Sequence, residues 1–438
     1  MKTVAIIGLG ARGYHTYAKY QHLHPEKMKI TAIADPAAEK TELARREFGI
    51  SEEMCFGSAE ALFEKGKLAD VLFVCTQDKQ HKAHAVKGME LGYDLLLEKP
   101  VATTPEDVME ILSAALRLKR SVVVCHVLRY TKFYGLIKEL LDRGGIGRVM
   151  AVQAAENVGY WHQAHSFVRG NWKNAEETSP MILQKCCHDF DIFNWLLGKR
   201  CLKVSSFGSL SWFCGENAPE KSAARCADCP LKEDCAYSSY KIYLDSRAVG
   251  YRNGRRTWPL DVVCEPLTEE GLLQALKDGP YGKCVFRCDN DVVDHQTVNL
   301  LYEGGVTVSF IMTGFTAENK RTLKLMGTEG EICADQGENT VKLTRFGELP
   351  EIYDVAKLTA DLSGHGGGDN EMLTQMFDAL ERGGGNISSA IQNSTESHMT
   401  AFAAEYSRLH GGITVDMAEY CAGMQGKERN AKSFGDKK

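Results

Sequence analysis

The chain has 438 residues, too many for one ordinary hydrophobic core, so two domains are expected, with room for a third small element. Hydrophobic residues at 44% and charged residues at 25% describe a soluble globular protein. A net charge of −6, from 52 basic against 58 acidic residues, excludes a basic face for nucleic acid or anionic lipid and points to a small polar metabolite as partner.

No run approaches the roughly 18 apolar residues that a membrane helix needs. A buried strand from Thr3 leaves no room for a signal peptide, so a cytoplasmic location is expected. In that compartment the 15 cysteines read as thiols, metal ligands or small core residues rather than disulfides. Cys75 and Cys125, single within apolar runs, read as core.

Val4–Leu9, Lys29–Asp35, Val71–Thr76, Asp94–Glu98 and Ser121–His126 are expected strands. Their near-continuous Val, Ile and Leu content suits a parallel sheet covered on both faces. Pro105–Arg120 spaces Val108, Ile111, Leu112, Ala115 and Leu116 as one helical face, with Pro105 in the first turn. Residues 1–126 therefore read as a doubly wound α/β (Rossmann) domain.

Beyond it the rhythm changes. Arg148–Asn157, Val204–Leu210, Thr297–Tyr302, Val306–Thr313 and Arg321–Met326 read as strands of an open, mostly antiparallel sheet. Lys132–Arg143, Met181–Leu197, Asn370–Arg382 and Ser394–His410 read as helices. Residues 127–422 form an expected α+β domain, interrupted by a cysteine-rich insertion over 212–290, and 423–438 read as a disordered tail.

Gly8-Leu9-Gly10-Ala11-Arg12-Gly13 follows a strand and opens a helix. Its glycines permit a tight turn and close approach to a pyrophosphate, and the helix N-terminus supplies donors for the anion. Asp35 ends the second strand, 22 residues past Gly13, where a carboxylate accepts ribose hydroxyls and repels a 2′-phosphate, favouring NAD over NADP. Arg12 and Lys40 would soften that preference. Thr76 ends the third strand at the crevice where ligands bind, and His81 is expected to shape the nicotinamide pocket or cap its helix.

Glu98-Lys99-Pro100 ends the fourth strand and delivers Lys99 to the same crevice. Oxidising an alcohol by hydride transfer also requires losing the hydroxyl proton, and a lysine beside the nicotinamide is suited to exchange it. Pro100 biases Lys99 to an extended backbone.

Gly8–Gly13, Asp35, Thr76 to His81, Glu98-Lys99-Pro100, Arg129-Tyr130 and Ile146-Gly147 together resemble the Gfo/Idh/MocA oxidoreductases, over essentially the whole chain outside the insertion. The resemblance implies a Rossmann domain joined to an open-sheet α/β domain, NAD held with help from Glu98 and Lys99, hydride chemistry on sugars or cyclitols, and a homodimer or homotetramer. It also implies an Asp-x-x-x-His pair on a helix of the second domain. Here His188 matches, Gln184 replaces the acid, Lys185 stands beside it as a second ammonium, and Asp191, three residues on, is expected to orient the imidazole.

Gly159–Trp172 concentrates aromatics, histidines and an arginine suited to sugar rings, with Arg169, Asn171 and Trp172 as expected substrate contacts. His365 lies in Gly364–Asp369, whose glycines permit close approach to a ligand or form a linker and helix cap. Cys214, Cys226, Cys229 and Cys235 fall in a stretch too polar to build its own core. They fit a structural Zn²⁺, with an iron–sulfur cluster, free thiols or disulfides as alternatives.

The expected function is NAD-dependent hydride transfer at a sugar, glycoside or cyclitol hydroxyl, with Lys99 exchanging the proton and His188 orienting or relaying. A glycosidase or lyase using transient sugar oxidation by bound NAD, and a non-catalytic NAD-responsive regulator, are the alternatives.

Overall fold

Uninterrupted apolar runs leave a strand no solvent face, and in the computed structural model, which describes residues 1–384 and 387–423, they fold as the parallel sheet they demand. Its strands are β1 (Lys2–Ile7), β2 (Met28–Ala34), β3 (Cys55–Phe56), β4 (Val71–Val74), β5 (Asp94–Leu97) and β6 (Val122–Val124). They run in the order β3-β2-β1-β4-β5-β6, reversing direction of growth beside β1 and opening the crevice at the carboxyl ends of β1 and β4. The helix Pro105–Leu118 starts where its sequence signals place it. The Thr104 hydroxyl accepts from Asp107 N, a cap contributing about 1 kcal/mol, and Pro105 occupies the first turn.

The second sheet has nine strands: β7 (Val149–Asn157), β8 (Cys201–Ser209), β9 (His295–Tyr302), β10 (Thr307–Thr313), β11 (Lys320–Gly327), β12 (Gly330–Asp335), β13 (Thr340–Arg345), β14 (Glu351–Asp354) and β15 (Val415–Asp416). Their order is β14-β13-β12-β11-β7-β10-β9-β8-β15, antiparallel except for β7 beside β10. Strict alternation along β10 buries Val308, Phe310 and Met312, and Phe310 packs edge-on against Phe190 and Phe193 of the helix Met181–Leu197. That helix is buried on nearly every side, and the helix Ile391–Leu409 packs against it. No helix among the described residues is long and apolar enough to cross a membrane.

Three features depart from the expectations. The strands β12 to β14, with Lys342, Glu351 and other polar residues alternating along them, carry too little apolar signal to be read from sequence. The helix Gly368–Glu381, far along the chain, covers the first sheet: Met372, Met376 and Phe377 join the core of Val4, Ile6 and Phe73. The insertion has a core after all, because Phe213, Tyr243, Leu244, Leu272, Leu276 and Phe286 bury together, with Trp161, Ala164 and Val168 as their floor. Of the expected tail, residues 424–438 lie outside the described residues.

Candidate active site

The glycine loop after β1 has the shape a dinucleotide requires. Gly8 sits at φ +89°, and a Cβ there would meet Cys75 O at 2.4 Å; a Cβ on Gly13 would meet Gly8 O at 1.9 Å. Nothing lies within 4 Å of a Cβ on Gly10, so open space faces the backbone where a pyrophosphate would approach. The helical segment from Ala11 has no side chain capping its first turn. At the end of β2, Asp35 accepts from Leu9 N at 2.7 Å and Ala37 N at 2.9 Å, holding a buried carboxylate beside that loop. These residues fit NAD.

Arg12 turns away from this loop. Its Nε donates to Glu98 Oε1 at 2.6 Å, and its guanidinium also reaches the Tyr17 hydroxyl and both oxygens of Asp369. Burial pushes the Glu98 carboxyl up, but Arg12 and Lys99 outweigh it and hold it below the usual range. Arg12 and Glu98, both expected at the cofactor, thus engage each other, and Asp369 joins them to His365 Nδ1 at 3.0 Å. His81 is buried with its ring nitrogens against Pro100 O at 2.7 Å and Thr76 O at 2.9 Å, while the Thr76 hydroxyl pairs with His84 Nδ1. The His81 ring clasps the turn after Lys99.

Lys99 Nζ donates to the backbone carbonyl of Gln184 at 3.0 Å, and Lys99 N donates to Glu98 Oε2. The contact joins the end of β5 to the first turn of the helix Met181–Leu197. Around it stand the expected Lys185 and groups that sequence reasoning missed. Asp78, buried and pushed up by that burial, accepts from Ser179 Oγ and feels the charges of His81 and Lys99. Lys185 Nζ lies 3.5 Å from Glu156 Oε1, and Glu156 in turn contacts Arg321, which grips Asp189. Burial pushes Lys185 down, opposed by Glu156 and reinforced by Arg321 and Lys99. These acidic and basic partners come from β7, β11 and the buried helix, and no local motif marks them.

His188 is buried, and desolvation, then Lys99, drives it well below its ordinary value, so it is neutral at neutral pH. Its Nδ1 is without a hydrogen-bond partner, and its ring lies 5.6 Å from that of His126 and 6.3 Å from that of His365. The expected pairing with Asp191 is overturned: Asp191 takes Nε and Nη2 of Arg129, each at 2.6 Å, so Arg129 claims the carboxylate that helical spacing offered to His188. His162, also driven down by burial, feels Lys185 and Lys99 and pairs with Asn319 Oδ1 at 3.2 Å.

The other expected substrate contacts lie elsewhere. Arg169 turns into the insertion, donating to Lys283 O and Tyr237 O, each at 2.8 Å. Asn171 is exposed, and Trp172 packs on the main core. Every cysteine is a free thiol, and among the described residues no three His, Cys, Asp or Glu side chains are arranged to hold a metal ion. The expected tetrahedral zinc set is therefore corrected: Cys214 Sγ faces Asn217 Nδ2 at 3.2 Å and Ser211 O at 3.7 Å, and does not line the cavity shared by Cys226, Cys229 and Cys235.

Residues 2–126 match the NAD-binding Rossmann fold of the Gfo/Idh/MocA oxidoreductase family, and residues 138–428 match its C-terminal alpha/beta domain. The chain is similar to YteT of Bacillus subtilis, 25% identical over 395 residues that cover 86% of this chain and 89% of YteT. It is 26% identical over 281 residues to the scyllo-inositol 2-dehydrogenase (NAD(+)) of Bacillus subtilis, covering 61% and 72% of the two chains. An inositol dehydrogenase homolog from Azotobacter vinelandii, solved with NAD+, superposes with a TM-score of 0.66 at 14% identity over 94% of this chain and 97% of that one.

Proposed function

The chain belongs to the Gfo/Idh/MocA oxidoreductases, and from that premise we propose that it transfers hydride between a sugar, glycoside or cyclitol hydroxyl carbon and NAD. The observation that carries this reading is Lys99 at the carboxyl end of β5, tied by Nζ to Gln184 O in a setting where His188 is neutral. Bound NAD would supply the hydride acceptor, held by Gly8, Gly10, Ala11, Gly13 and Asp35 beside Thr76.

Lys99 exchanges the hydroxyl proton at Nζ. Its bond to a main-chain carbonyl can be kept by either ammonium or amine, so the anchor need not break as the proton moves. His188, with Nδ1 unpartnered, orients the substrate hydroxyl or relays its proton. Lys185, one helical turn earlier on the same face, supplies a second nitrogen whose charge is weakened by burial and balanced by Glu156. His365, held by Asp369, closes the far side. Half-exposed Phe207 on β8 and Ile311 on β10 support self-association of the second sheet as a homo-oligomer.

The test is a panel of inositols, free sugars and glycosides incubated with purified protein, with and without added NAD, and assayed for NADH and released aglycone. NADH in step with oxidised product supports the reading. Aglycone release without net NADH replaces it with redox-assisted cleavage, and NAD binding without turnover on any member of the panel overturns it.

A further inference from the structure

The insertion contains a second centre that the proposed chemistry does not use. Cys226, Cys229, Cys235 and Cys284 line one small cavity partly open to solvent, and Arg169 forms part of its wall. Cys284 lies 49 residues beyond Cys235, too far for spacing to reveal it, and chain pairing brings it in. An antiparallel bridge between Arg225 and Lys283, with Cys226 N donating to Gly282 O and Cys284 N to Ala224 O at 2.9 Å each, sets those two cysteines diagonally across it on one face.

Each of the four starts a tight turn: the carbonyls of Cys226, Cys229, Cys235 and Cys284 accept from the amide three residues on, at 3.0 to 3.3 Å. Such turns aim amides at the cysteine sulfur. Cys226 Sγ accepts from Ser239 N at 3.4 Å and Arg169 Nη2 at 3.8 Å. The amides of Tyr237 and Phe286, two residues past Cys235 and Cys284, are directed at those sulfurs. Donors converging on sulfur are the surroundings of a metal-bound thiolate.

Polar groups left over at this spot point the same way. Arg169 is only 3% exposed, yet its Nη1 has no partner, and the fully buried Ser238 and Ser239 hydroxyls donate to nothing. A buried guanidinium nitrogen without an acceptor is costly, and here it borders four thiols that become acceptors once ionised. A single ion would need all four sulfurs within about 2.3 Å of one point, and no such convergence exists among the described residues. The four cysteines line one cavity without converging on a point. An iron–sulfur cluster fits such a spread set, because its irons stand apart and its sulfides would accept the stranded donors.

We propose that Cys226, Cys229, Cys235 and Cys284 ligate an iron–sulfur cluster whose negative charge is balanced by Arg169. Arg169 ends the helical segment Gln163–Arg169, which follows His162, so the cluster staples the insertion to the wall of the active site. Cys214 takes no part, and the Cys288 thiol donates to Cys284 O.

The experiment is anaerobic purification without a metal-binding tag, followed by iron and acid-labile sulfide analysis and a visible spectrum. The wild type is expected to carry both elements in fixed ratio to chain, with an absorption that dithionite bleaches. Cys284→Ser loses the cluster and Cys214→Ser keeps it. Thiol labelling gives a reading that does not depend on a variant folding: half-buried Cys229 and Cys235 are shielded in the iron-loaded protein and react after chelation. Zinc in place of iron and sulfide, no metal in protein that still binds NAD, or loss of the cluster in Cys214→Ser but not Cys284→Ser overturns the assignment.

Discussion

Lys99 Nζ reaches across from the end of the first sheet's β5 to the backbone carbonyl of Gln184, 85 residues away, at 3.0 Å. The acceptor is main chain, so the absence of an acidic side chain at 184 does not release the lysine. It changes only what the helix offers the substrate.

Replacing Lys99 with Ala is expected to lower kcat by about 10²- to 10⁴-fold, the usual worth of a positioned acid–base group. NAD affinity should stay near wild type, because the glycine loop and Asp35 make their contacts without Lys99. Steady-state rates on the substrate found by the panel, with NAD binding by fluorescence, check it; a near-normal kcat refutes the role.

Asp35 is proposed as the selector of cofactor. Asp35→Ser removes a carboxylate suited to charge-assisted bonds, worth about 1.5–3 kcal/mol with ribose hydroxyls, so NAD should bind about tenfold or more weakly. NADP should gain relative to NAD, since the repelling charge is gone. Titration of both cofactors against wild type and variant decides it, and an unchanged ratio would show that Asp35 serves only Leu9 and Ala37.

Glu156 is 1% exposed and holds Arg321 at 2.6 Å and Lys185 at 3.5 Å. Glu156→Gln leaves two buried cations short of a carboxylate and should cost about 3–5 kcal/mol of stability. Urea unfolding at neutral pH measures this; a loss well under 1 kcal/mol would place water or counter-ions in the network.

Acid should unfold the protein through its buried histidines. His398 takes Val101 N on Nε2 and faces Ser394 O with Nδ1, each at 3.0 Å, an arrangement that requires the neutral ring. Burial pushes His398 and His165 each down to about 3. The unfolded chain, with histidines near 6.5, therefore binds protons first as pH falls. The stability these residues contribute is complete above about pH 6.5 and is lost at about 1.4 kcal/mol per pH unit per histidine below it. Asp189, pushed up by burial, works in the opposite sense and offsets part of the slope. Urea midpoints between about pH 7 and pH 5 should fall steeply, and His398→Gln should flatten the slope by one proton. A flat wild-type profile would contradict it.

Much of the fold was legible. Unbroken Val, Ile and Leu runs announced the parallel strands, and the helix Met181–Leu197 begins and ends where Pro180 and Gly198 punctuate it. The polar edge strands β12 to β14 were not, because alternation with charged residues leaves little apolar signal in so short a window. The site divided in the same way. Gly8–Gly13, Asp35 and Lys99 stand at strand ends, whose direction the pattern reveals. Arg169 misled because a local cluster of aromatic and polar residues does not say which way a side chain turns, and Asp191 because spacing says which residues share a helix face and not which partner arrives there first.

Sequence alone determined the first sheet, the apolar strands of the second, the dinucleotide loop and the lysine at the end of β5, since these depend on local periodicity and on chain direction at a strand terminus. Tertiary structure alone decided the rest. Arg129 captured Asp191, Glu156 and Arg321 came to Lys185, and a late helix with Asp369 closed over the first sheet and met Arg12. Cys284 displaced Cys214 beside the other thiols. Each is a contact between residues tens to hundreds of positions apart, set by how buried charge and apolar area are satisfied together, and no window of sequence contains both partners.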